Sequence, residues 1–80
     1  HNIREDIKRM RQRIRLDTMS DIRSFVDTVS TVTEKVTLED DDGNRVSAKS
    51  LLGAVYTVEW ASIYCYCDKD ISGIILPWII

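Results

Sequence analysis

After its first residue the chain contains no histidine; proline occurs once, at position 77, and glycine only three times. The missing imidazole rules out a Ser-His-Asp set, and no pair of acids or Gly-rich phosphate cradle stands in its place, so a hydrolase or nucleotide-binding enzyme lacks its parts. Cysteine is scarce as well. Cys65 and Cys67 are the whole supply, and neither another cysteine nor an internal histidine could complete a zinc site around them. No apolar run approaches the roughly 20 residues that span a bilayer, and the start does not have the layout of a secretory leader, so the expected compartment is the cytoplasm, away from the membrane. There is no basic excess either. The 11 Lys and Arg against 13 Asp and Glu leave a net charge of −2, which argues against nucleic acid as a partner. These absences describe a non-enzymatic chain with no cofactor and no metal.

What remains is enough for one small domain, since 80 residues of which 44% are hydrophobic can build a single, marginal core. Residues 1–11 stand apart. They carry Ile3, Ile7 and Met10 at helical spacing among Arg4, Lys8, Arg9 and Arg11, the pattern of a short basic amphipathic helix ahead of a domain over residues 12–80. Arg13 to Leu16 alternates and predicts a first strand with Ile14 and Leu16 inward. Ile22, Phe25, Val26 and Val29 then recur at i, i+3, i+4 and i+7, one buried stripe of a helix over Ser20 to Val32 capped by Ser20 or Asp17. The β-branched run from Val29 to Thr33 weakens that helix toward its end. Val36 to Glu39 and Arg45 to Ala48 are the next strands. The Asp40-Asp41-Asp42-Gly43-Asn44 loop between them is a tight reversal rather than a calcium loop, because the ligand register of the latter is not met.

In Ile63-Tyr64-Cys65-Tyr66-Cys67 the alternation predicts a central strand with both thiols on one face, buried and unbridged, since neighbours two apart rarely reach disulfide geometry. Asp68 to Asp70 forms a turn and a cap. The closing stretch from Ile71 to Ile80 is almost wholly apolar and carries Pro77, which stops a long helix. Its Trp78, Ile79 and Ile80 have two readings, a homodimer contact or simple packing onto the sheet.

The segment that speaks most directly about function is Val46-Ser47-Ala48-Lys49-Ser50-Leu51-Leu52-Gly53. A short strand runs through Lys49 into a helical turn, and Ser50 stands where an N-cap belongs. A helix start also accepts negative charge, so a phosphate on Ser50 would be received without strain. Leu51, Leu52, Val55 and Tyr56, with Lys49 beside them, then form either a docking face for another protein or, for Leu51 and Val55, part of the core.

This run resembles the regulatory-serine segment of HPr, the small histidine-containing phosphocarrier of the bacterial sugar phosphotransferase system, and of its regulatory relatives. The order of elements before it is similar too. The resemblance implies an α+β open-faced β-sandwich, a four-stranded mainly antiparallel sheet with two or three helices on one face in the order βαββαβα. It also implies phosphorylation at Ser50 by a kinase and a partner that regulates carbon metabolism. An HPr carries its phosphate on a histidine at the start of the first helix, and the matching positions here are Thr18, Met19, Ser20 and Asp21, without an imidazole. The expectation is therefore an HPr-like regulatory module that is not itself a phosphocarrier. The carrier and a structural dimerisation module are the alternatives.

Overall fold

The computed structural model describes residues 10–80. The helix predicted over residues 1–11 lies outside the described residues except for its last two, and Arg11 already belongs to the first strand. In chain order the elements are β1 (Arg11–Ile14), α1 (Met19–Val29), β2 (Val36–Glu39), β3 (Arg45–Ser47), α2 (Leu51–Tyr56) and β4 (Ile63–Cys67). Two single turns of 3-10 helix, Thr57–Glu59 and Leu76–Trp78, complete them. The fold is α+β, as expected, with the four strands in one antiparallel sheet of order β1-β4-β2-β3.

Strand alternation decides which face the helices cover. Register places Cys65 between Gln12 of β1 and Leu38 of β2, and Cys67 beside Val36. Ile14, Val36, Leu38, Ile63, Cys65 and Cys67 are all buried and join Ile22, Phe25, Val26 and Val29 of α1 in one core. Both cysteines are free thiols, as the alternation predicts, and burial, helped by the neighbouring Cys67, pushes the Cys65 thiol up to about 12. The opposite sheet face carries Arg11, Arg13, Thr37, Glu39, Arg45, Ser47, Tyr64 and Tyr66; it is the side away from α1 and α2, and Thr37 at its centre is buried.

Helix α1 differs from its sequence-based outline at both ends. Its N-cap is Thr18, not Ser20 or Asp17. The Thr18 hydroxyl accepts from the Asp21 backbone N–H at 3.0 Å, and the Asp21 carboxylate accepts in return from the Thr18 N–H at 3.2 Å, a reciprocal capping box. At the other end the helix stops at Val29, three residues short of Val32. There the Ser30 hydroxyl donates to the Val26 carbonyl at 2.6 Å and the Thr31 hydroxyl to the Thr28 carbonyl at 2.7 Å, giving the carbonyls of the last turn local partners. Val32 still reaches the core from the loop that follows.

The reversal at Asp40 is built on that residue's side chain. One carboxylate oxygen accepts from the Asn44 and Asp42 backbone N–H groups at 2.8 and 3.0 Å, while the other accepts from the Asn44 side chain at 2.7 Å. Gly43, at φ 89°, supplies the left-handed step that closes the loop. The carboxylate is thus consumed by its own turn.

At the C-terminal end, Ile71 and Ile75 are buried, and Asp70 caps their turn by accepting from the Ser72 N–H at 2.9 Å. Pro77 sits in the first turn of the 3-10 helix, where its missing N–H costs nothing. The chain then runs beside β1 as an antiparallel strap. Arg15 N–H donates to the Trp78 carbonyl at 2.8 Å, Ile80 N–H to the Arg13 carbonyl at 3.1 Å, and Ile79 bridges Ile14. Among the described residues no helix is long and apolar enough to cross a membrane.

Candidate functional site

The turn between β3 and α2 is assembled by its own side chains. The Ser47 hydroxyl accepts from the Lys49 N–H at 3.2 Å, and the Ser50 N–H donates to the Ser47 carbonyl at 3.3 Å. Ser50 is the N-cap of α2, in extended conformation, with its hydroxyl accepting from the Gly53 N–H at 3.1 Å. The chain exposes Ser50 to solvent.

Gly53 explains how this helix lies. A Cβ built there would stand 3.2 Å from the Ser47 carbonyl and 3.3 Å from the Val46 Cβ, so the first turn of α2 leans tightly on the end of β3, and a side chain there would require its neighbours to give by a few tenths of an ångström. The residues pointing inward are accordingly small. Ala54 and Thr57 are fully buried, and the Thr57 hydroxyl donates to the Ala54 carbonyl at 2.6 Å where the α-helix tightens into its 3-10 extension.

The large side chains therefore face outward. Leu51 is 41% exposed, Leu52 72%, Tyr56 67% and Val58 57%, while Val55 is half-buried against the core. The core alternative for Leu51 is corrected by this geometry: Ala54 holds the inward position, and Leu51 borders a hollow of about 340 Å³ shared with Arg23, Val26 and Asp27 of α1. Leu52, Val55, Tyr56, Val58 and Glu59 line a second, apolar hollow of about 420 Å³.

Of the residues expected at this site, Ser50, Leu51, Leu52, Val55 and Tyr56 come together on one helix. Lys49 does not join them. Its ammonium donates to the Val32 carbonyl, pinning this turn to the loop after α1. Val58 belongs to the patch although helical periodicity does not single it out; an apolar residue flanked by Thr57 and Glu59 was the available signal. Thr18, Met19, Ser20 and Asp21 lie elsewhere, at the start of α1. There Thr18 and Asp21 spend their polar atoms on the capping box, and Met19 is half exposed.

The tail residues divide. The Trp78 ring packs edge-on against Phe25, with centroids 5.3 Å apart at 89°, and Ile79 packs against the core. Ile80 and Leu76 remain exposed. Among the described residues no group of three or more His, Cys, Asp or Glu side chains is placed to hold a metal ion. No family model, curated protein or solved structure matches this chain.

Proposed function

We propose that this domain is a non-enzymatic protein-binding module of HPr-like type, acting in the cytoplasm and docking a regulatory partner through the outward face of α2. One observation carries the reading. A six-residue helix buries Ala54 and leaves Leu52, Tyr56 and the adjoining Val58 largely in solvent, where with Val55 they line one apolar hollow, while Leu51 is exposed at the border with α1. Ser50 stands at the start of the same helix with an accessible hydroxyl, so a phosphate added there would place about two negative charges beside the contact. The carrier alternative finds no support at Thr18 to Asp21, whose hydroxyl and carboxylate are engaged in a helix cap and which offer no nitrogen nucleophile.

The test compares partners recovered on immobilised wild-type chain, Ser50→Asp and Leu52→Glu, together with mass spectrometry of Ser50 in protein taken from its native cell. Leu52→Glu is expected to abolish capture, and Ser50→Asp to change it severalfold. Unmodified Ser50 together with partners that still bind Leu52→Glu would refute the reading. Transfer of acid-labile label from phosphoenolpyruvate through the first enzyme of the phosphotransferase system would restore the carrier.

A further inference from the structure

The net charge of −2 conceals a division of charge across the molecule. Alternation along β1 sends Arg11 and Arg13 to the sheet face opposite α1 and α2, and Arg15 continues the row where the chain runs beside the tail. At the far side of that face, Lys35 and Arg45 line a shallow hollow of about 400 Å³ with Arg11, Thr37, Glu39, Tyr66 and Asp68. The described residues away from this face hold three cations, Arg23, Lys49 and Lys69, against seven carboxylates. Among the described residues the sheet face is thus the side where cations outnumber carboxylates, and the side a polyanion would meet on the more favourable terms.

The carboxylates on the sheet face are already held. Glu39 accepts from Arg11 at 2.7 Å and faces Arg45 at 3.5 Å, Asp41 accepts from Ser62 at 2.9 Å, Asp68 accepts from Tyr66 at 2.8 Å, and Asp17 stands 3.9 Å from Arg15. Arg13 and Lys35 have no ion-pair partner among the described residues. Between the cations lie two tyrosines, two residues apart on the central strand β4. The Arg11 guanidinium carbon lies 3.7 Å from the centroid of the Tyr64 ring, in a side chain that stays 40% exposed while bonded to Glu39, and Tyr66 borders the hollow. Flat aromatic and guanidinium surfaces on a sheet, flanked by cations, are what unpaired bases stack on.

We infer that the open sheet face binds single-stranded nucleic acid, with Tyr66 and the Arg11–Tyr64 stack receiving bases and Arg13, Arg15, Lys35 and Arg45 contacting phosphates. A protein partner fits this face less well. Its strand positions carry no aliphatic side chain, whereas a protein interface keeps an apolar core, which this molecule offers on α2 instead. The inference is independent of the α2 reading and uses none of its residues.

Fluorescence anisotropy with labelled ten-nucleotide single strands of RNA and DNA, the matching duplex and a polyglutamate peptide tests it at low and moderate salt. Single strands are expected to bind more tightly than duplex or peptide. Tyr66→Ala should weaken them at least about fivefold. Arg13→Gln, at an exposed side chain with no ion pair among the described residues, should lower the slope of log affinity against log salt by about 0.7. Leu52→Glu should leave binding unchanged. Absence of binding at about 50 mM salt, equal affinity for polyglutamate, or an unchanged salt slope in Arg13→Gln would each overturn the assignment.

Discussion

Helices α1 and α2 lie in the same layer, each start with a hydroxyl cap, and treat their apolar residues in opposite ways. In α1, eleven residues long, every large aliphatic or aromatic residue of the stripe, Ile22, Phe25, Val26 and Val29, is buried. In α2, six residues long, burial goes to Ala54, and Leu51, Leu52 and Tyr56 stay outside. The difference comes from distance rather than hydrophobicity. Where Gly53 lets the backbone of α2 come tightly against β3, the fully buried positions go to the small residues Ala54 and Thr57. A helix held that close becomes a shelf for apolar groups it does not need for folding.

The strongest way to break this contrast is to truncate one large residue in each helix. Phe25 is fully buried and supports the Trp78 ring, so Phe25→Ala should cost about 3–5 kcal/mol in urea unfolding and loosen the C-terminal strap with it. For a domain of this size that is a large part of the total stability. Tyr56→Ala in α2 should change stability by no more than about 0.5 kcal/mol. Equal losses would mean that the outward face of α2 is packed in solution.

Removing the caps sharpens the comparison at about 1 kcal/mol each. Thr18→Ala leaves the Asp21 N–H without its acceptor in a helix that anchors the core, so the loss should appear as global destabilisation. Ser50→Ala removes the bond to the Gly53 N–H in a helix with one buried residue. Its effect should concentrate locally: hydrogen exchange at α2 amides should quicken while α1 amides keep their protection relative to global unfolding.

The two helices also differ in how far their sequences could be read. The stripe of α1 names its own core, because large residues at the helical period have only one face to share. Its ends were hidden, since Asp17, Thr18 and Ser20 are all acceptable caps and only the return bond from Asp21 selects Thr18. The period of α2 misleads in the opposite sense. Leu51 and Val55 at i and i+4 look like a core stripe; Val55 does pack against the core, but Leu51 stays exposed, and the signal for that is a glycine inside the first turn, unfavourable in a helix unless another backbone comes close. The strands were legible because burial on one face imposes a period of two, and that same period predicts both buried cysteines. What it cannot reveal is which strands are neighbours. The row from Arg13 through Tyr64 and Glu39 to Arg45 exists only once β4 is inserted between β1 and β2, so the gathering of cations and tyrosines on one face has no counterpart in linear sequence.

Acid should act on neither helix first but on the hairpin that joins β2 to β3. Asp40 is held below the usual carboxylate range, chiefly by the Asn44 side chain and then by the loop's backbone N–H groups. Because its folded value lies below its unfolded one, its contribution is complete above the unfolded value of about 4 and is lost as the pH falls through the folded value. Stability should therefore drop more steeply below about pH 4 in the wild type than in Asp40→Asn, measured by urea midpoints across that range. Parallel curves would show that the loop does not need the charged form.

The smallest expected effect is the most decisive for the contrast between the helices. Leu52 is 72% exposed, so most of its surface is in water in the folded chain and little transfer free energy is lost on replacing it. Glutamate is about as good a helix former as leucine, and at the second position of α2 its charge meets the favourable end of the helix dipole. Leu52→Glu should therefore shift stability by no more than about 0.5 kcal/mol, with an unchanged urea dependence, while it places a charge in the middle of the apolar face. A loss of 2 kcal/mol or more would put Leu52 inside a packed contact, and α2 would then be a second core helix resembling α1, with no face left over for a partner.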